Sequence, residues 1–82
     1  MPLVTILDLI NAVKYFKAHP STDITLLKAI DTRMTEMINT NYANVKTLTT
    51  ARDSLRAAMT KPTSSSAQDL YTKIINYLTP LA

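Results

Sequence analysis

Residues 21–61, STDITLLKAIDTRMTEMINTNYANVKTLTTARDSLRAAMTK, contain neither proline nor glycine, so no position in this stretch forbids a helix. Ten residues along it follow an unbroken three-four spacing, which is the heptad pattern of a packed helical seam. These residues, called the seam below, are Leu27, Ile30, Met34, Met37, Asn41, Asn44, Leu48, Ala51, Leu55 and Ala58. The seam is apolar at both ends and polar in its middle.

The middle of the seam, NTNYAN at 39–44, allows two interpretations. Asparagine and threonine have low helix propensity, and Asn is the usual substitute for glycine at a left-handed helix end. One helix then ends near Asn39, and Thr40 or Asn41 caps the next. Alternatively, one helix of roughly 57 Å runs through the asparagines, since the seam spacing is unbroken. We favour the turn, because such a long helix with two short neighbours makes a poor core.

Flanking signals define two further helices. Thr5 and Asp8 have capping-box spacing, and Pro20 ends the helix that they begin. Its apolar face is Ile6, Leu9, Ile10, Val13 and Phe16, and Leu7 falls off that face. The stretch 21–23 supplies caps for the second helix, and Ser65 or Ser66 has capping-box spacing for the last.

The sequence therefore predicts an all-α fold in a single domain, 1–82. The predicted architecture is a small antiparallel bundle of four helices, at about 6–18, 23–38, 42–60 and 66–78, or of three helices with one long central helix.

Composition limits the environment of the chain. With 82 residues the core is thin, and no cysteine is present to form disulfides. The apolar amino terminus has no basic leader, and no run reaches the roughly 18 apolar residues of a membrane span. These features predict no secretion signal and no membrane partner. We expect the protein in a reducing compartment such as the cytoplasm, or within an assembly such as a virion.

Residues that support catalysis are scarce. His19 is the one histidine, it stands beside a proline, and no glycine is available for a phosphate loop. We therefore predict no catalytic residues, no metal or cofactor site and no small-molecule substrate, and we expect that the protein is not an enzyme.

The net charge of +3 lies entirely in the second half of the chain. Lys46, Arg52 and Arg56 lie on the third predicted helix and Lys61 follows its end, with short hydroxyl side chains between them. Such a surface is able to contact phosphates, although a solvated face is the simpler interpretation. These four residues are the candidate nucleic-acid contacts.

The central part of the seam is a candidate oligomer contact. Its members are Met34, Met37, Asn41, Asn44, Leu48 and Leu55. Buried asparagine amides would need partners, and a copy of the same chain is able to supply them. If residues 39–44 form a turn, the asparagines are simply turn residues.

The first half also resembles a known family. The stretch LVT at 3–5 opening a short helix, the loop HPSTD at 19–23, and ITLLKAIDTRMTEMI at 24–38 running into NTNY are similar to the head-tail connector (adaptor) proteins of tailed phages. This resemblance implies a ring-forming structural subunit with protein neighbours and DNA in its lumen. We expect a non-enzymatic helical subunit that self-associates; the alternative is a small nucleic-acid-binding or transcription-modulating protein.

Overall fold

The structure, a computed structural model, describes residues 2–82. These residues form four helices, α1 (Ile6–Ala18), α2 (Thr25–Asn39), α3 (Val45–Met59) and α4 (Ser65–Leu78), followed by a short 3-10 helix, Thr79–Leu81. The prediction of an all-α four-helix fold is confirmed, and the alternative of one long central helix is wrong. Helix α1 has the predicted bounds. Helix α2 begins and ends later than predicted, α3 is shorter at both ends, and α4 begins one residue earlier.

The helices close into an antiparallel ring. Each packs against its neighbours in the chain, and α1 also packs against α4. Between α2 and α3, Asp31 contacts Arg56 and Thr35 contacts Arg52. The residue numbers rise along α2 as they fall along α3, so the two helices are antiparallel. The short loops between consecutive helices require this antiparallel order. Within residues 2–82, no Cα atom of α1 lies within 8 Å of one in α3, and no Cα atom of α2 lies within 8 Å of one in α4.

The interior of the ring is apolar, and its largest member is Tyr71. The Tyr71 ring meets Phe16 edge to face at 5.5 Å between centroids, and its hydroxyl donates to the Pro62 carbonyl at 2.7 Å. Burial raises the pKa of the Tyr71 phenol. The buried core residues are Ile6, Leu9, Ile10, Ala12, Val13, Phe16, Leu27, Ile30, Met34, Met37, Leu48, Ala51, Leu55, Ala58, Ala67, Tyr71, Ile74 and Leu78.

The chain reverses between α2 and α3 through a left-handed residue. Asn41 has a φ of 53°, its N–H donates to the Ile38 carbonyl, and the N–H of Tyr42 donates to the Met37 carbonyl. This pair of hydrogen bonds is the Schellman motif, which ends a helix and satisfies its last carbonyls. The predicted turn is thus present, and an asparagine takes the position that glycine usually occupies.

The helix starts agree with the predicted caps only in α1. Thr5 and Asp8 form the expected capping box. Helix α3 is capped by Asn44, not by Thr40 or Asn41, because those two residues complete the end of α2.

The starts of α2 and α4 also differ from the prediction. Ser64 caps α4 in place of Ser65 or Ser66, with its hydroxyl accepting from the Ala67 N–H. In α2 the cap position is Ile24, which has no acceptor, and the Asp23 carboxylate instead accepts from the backbone and hydroxyl of Thr25.

The role of Leu55 in the core is testable by truncation. Leu55→Ala leaves a cavity in a fully buried site, so we expect the free energy of unfolding to fall by about 2–5 kcal/mol in chemical denaturation. Lys73→Ala, at an exposed position on α4, is the control and should change it by less than about 0.5 kcal/mol. Equal effects of the two substitutions would contradict the assignment of Leu55 to the core.

The left-handed conformation of Asn41 gives a second prediction. Asn41→Ala should destabilise the protein by about 1 kcal/mol, because alanine lacks the short polar side chain that lets asparagine adopt this φ. Asn41→Gly should be neutral or stabilising, because glycine has no Cβ to disfavour it. Asn39→Ala, at the last helical residue of α2, is the matched control and should have little effect. Unfolding curves in which the Ala and Gly variants of Asn41 coincide would contradict the turn.

Candidate interaction surfaces

The structure places the predicted oligomer seam inside a single chain. Met34, Met37, Leu48 and Leu55 have no exposed surface, and they pack within the bundle core. The turn at Asn41 brings the α2 half of the seam onto the α3 half. The seam spacing therefore marks the contact between α2 and α3, and these four side chains offer no surface to a second copy.

The two asparagines of the seam lie outside the core. Asn41 is the exposed left-handed residue of the turn, and Asn44 is exposed at the start of α3. The Asn44 side-chain oxygen accepts from the Thr47 N–H at 3.0 Å. Both residues therefore serve chain reversal, and neither forms a buried amide layer.

Two of the four candidate phosphate contacts are held by α2. Arg56 makes a forked contact with Asp31, from Nε at 2.8 Å and from Nη2 at 3.2 Å. Hydrogen bonding to the Asp31 carboxylate raises the pKa of Arg56, so the guanidinium stays charged. Arg52 lies partly buried beside it, with Nη1 donating to the Thr35 hydroxyl at 3.0 Å.

The other two cations lie far apart. Lys46 is exposed in the first turn of α3, and Lys61 is exposed just beyond its last turn. At 1.5 Å per residue this separates them by roughly 22 Å along the helix axis. The four predicted residues thus do not converge on one patch.

Large apolar side chains remain exposed at and near α1. Within residues 2–82 they are Val4, Leu7, Tyr15 and Tyr42, at 53%, 56%, 59% and 48% exposure. Leu7 and Tyr42 line a shallow groove with Leu81 from the end of the chain. The sequence signal for this surface was weak, because Leu7 falls off the apolar face of α1 and Tyr15 is not among the residues of that face.

Arg33, a residue of α2, contacts two members of this exposed apolar surface. Its Nε and Nη2 donate to the Val4 carbonyl at 3.0 and 2.7 Å, and its guanidinium lies 5.4 Å from the centroid of the Tyr42 ring. These contacts hold the chain ahead of α1 and the turn after α2 side by side. The spacing of the sequence contained no signal for them.

A second groove lies between α1 and α2, beside the loop that joins them. Its volume is about 490 Å³, and Leu26 and Ala29 contribute apolar lining. At its rim the rings of Tyr15 and His19 lie 4.7 Å apart. Hydrogen bonds from Thr25 hold the pKa of the Asp23 carboxyl below its usual range. His19 is exposed here, as predicted for a loop residue.

Among residues 2–82, no three His, Asp or Glu side chains lie close enough together to hold a metal ion. No helix in that range is long and apolar enough to cross a membrane.

Comparison with protein-family models, with curated proteins and with solved structures finds no match to this chain.

The pairing of Arg56 with Asp31 gives a third prediction, measured by the salt concentration that elutes the protein from heparin. Asp31→Asn removes the negative charge that neutralises Arg56 and replaces one of the two acceptor oxygens by an NH2 group. The guanidinium charge is then available to heparin, so elution should need more salt than for the parent protein. Asp69→Asn makes the same charge change at an exposed position on α4 and is the control. Elution of both variants at the same salt concentration would contradict the sequestration of Arg56.

Proposed function

We propose that this chain is a non-enzymatic helical subunit that works through contact with other protein surfaces, including copies of itself. The observation that carries the proposal is the position of the exposed apolar side chains. Val4, Leu7 and Tyr15 lie on α1 or directly ahead of it, and Tyr42 lies in the adjacent turn. Single exposed apolar residues are ordinary on protein surfaces, whereas a group of them on one side typically marks an interaction site.

The internal packing indicates that another protein would bind to the surface of the bundle and would not complete its core. Each of the eight apolar seam residues is buried within one chain, so association does not have to complete the core. The apolar side chains on α1 have no such role in the bundle. Burial of a leucine or an aromatic side chain against another protein is favourable by about 1.5–3 kcal/mol.

The resemblance to head-tail connector proteins of tailed phages would place this contact in a virion. That placement rests on the capped helices of the first half and on no other observation.

Nucleic-acid binding through α3 is the alternative, and it has less support. Arg56 is neutralised by Asp31 and Arg52 is engaged with Thr35. Lys46 and Lys61 are left at opposite ends of the helix, so the dense basic patch that drives phosphate affinity is not assembled.

The proposal is tested by the absolute mass in solution. Light scattering after size exclusion, from about 10 μM to about 1 mM, covers the range in which small protein interfaces form. We expect the mean mass to rise with concentration from that of one chain toward that of two or more. A mass equal to one chain at every concentration would overturn self-association.

A further inference from the structure

Helix α1 has an outer face that the bundle does not use. This face, called the α1 outer face below, consists of Leu7, Asp8, Asn11, Lys14, Tyr15 and Ala18. Five of the six are exposed, and Asp8 is half-buried. Each of the six is three or four residues from at least one other member, which places them on one side of the helix. Helix α1 is also the most apolar of the four helices, and its apolar residues are the least confined to one side.

The α1 outer face is symmetric in chemical character about Asn11. Leu7 and Tyr15, both large and apolar, lie four residues to either side of it. Asp8 and Lys14, of opposite charge, lie three residues to either side. If two copies of α1 lie antiparallel with a two-fold axis at Asn11, each leucine is level with the tyrosine of the other copy, and each aspartate with the lysine. A two-fold interface requires this kind of self-complementarity.

We propose that the α1 outer face is the docking site for a second copy of this chain, with the two α1 helices antiparallel and the two-fold axis beside Asn11. This inference rests on the proposed self-association and names the surface that performs it. The occupant is a second copy because the charges complement each other within the same stretch of helix. A different protein would have no need of that symmetry.

The two charged groups are available for such a contact. The Oδ2 atom of Asp8 accepts hydrogen bonds from the N–H groups of Val4 and Thr5, at 3.0 and 2.9 Å. Within residues 2–82, the Oδ1 atom of Asp8 accepts no hydrogen bond from a side chain. The backbone hydrogen bond from Thr5 is the main cause that lowers the pKa of Asp8, so the carboxylate is ionised at neutral pH. Lys14 is exposed and pairs with no acidic group of the described chain.

Asn11 fits the position on the axis. The Asn11 side chain is exposed at the centre of the face. Its amide is able to donate a hydrogen bond to the Asn11 amide of the second copy and to accept one from it. A polar residue at a helix–helix contact sets the register of the pair at some cost in affinity. Because one helical face is also small for an interface, we expect weak, concentration-dependent pairing.

The arrangement is tested by a symmetric cross-link. The chain has no cysteine, so Asn11→Cys introduces the only thiol. At a concentration where the parent protein associates, we expect mild oxidation to give a disulfide-linked dimer about tenfold faster than for Asn76→Cys. Asn76→Cys is the matched control, since Asn76 is also an exposed asparagine within a helix, α4. Thermal unfolding followed by circular dichroism verifies that both variants are folded.

Two substitutions test the chemistry of the face. Leu7→Ser should weaken association at least tenfold, because it removes an apolar side chain that becomes buried on pairing. Lys14→Glu should also weaken it, because it sets two carboxylates level with each other, and added salt should reduce this effect. Lys73→Glu makes the same charge change on α4 and should leave association unchanged.

The outcomes separate the two proposals. Association of the parent protein with equal cross-linking of Asn11→Cys and Asn76→Cys would overturn the α1 docking site and leave self-association standing. Association that Leu7→Ser does not weaken would do the same. A parent protein of single-chain mass at all concentrations, with no faster cross-linking at Asn11, would overturn both.

Discussion

The left-handed backbone at Asn41 is the constraint on which the rest of the bundle depends. With φ at 53° and with the N–H groups of Asn41 and Tyr42 bonded back to α2, the helix ends and the chain reverses. The two halves of the seam then face each other, and Asp31 and Thr35 come level with Arg56 and Arg52. Without this reversal the apolar spacing of residues 21–61 would form one long stripe that a second chain would have to cover.

This reversal also decides which surfaces are left for function. The apolar residues of the seam are buried in the core of the chain. Two of the four candidate cations, Arg52 and Arg56, contact side chains of α2. The large apolar side chains that remain exposed lie on or near α1, and among them Leu7 and Tyr15 lie outside the core. A subunit that acts through protein contact has this division of surface, with an internally satisfied core and one unpartnered helix face.

The fold was predictable from the sequence because its signals are local. Helix existence follows from apolar spacing, the start of α1 from Thr5 and Asp8, and the turn from the asparagines at 39–44. Cap positions were less predictable, since Ser64, Ser65 and Ser66 are chemically alike and the local sequence does not distinguish among them. The candidate site was not predictable, because spacing cannot distinguish a seam closed within one chain from a seam between two. Whether an arginine such as Arg56 points to solvent or to an acid on the next helix depends on tertiary register.

The most direct test of this account is a distance across the α2–α3 hairpin. Lys28→Cys and Thr60→Cys, both at exposed positions, allow two spin labels in a chain with no other thiol. Diluting the labelled chain with unlabelled chain removes distances between copies. Because α2 and α3 pack as neighbours, we expect pulsed electron resonance to give a separation below about 25 Å, from an interaxial distance of about 10 Å plus the label arms. A separation near 48 Å, the length of an uninterrupted helix between these positions, would contradict the reversal at Asn41 and the assignment of the seam to the core of one chain.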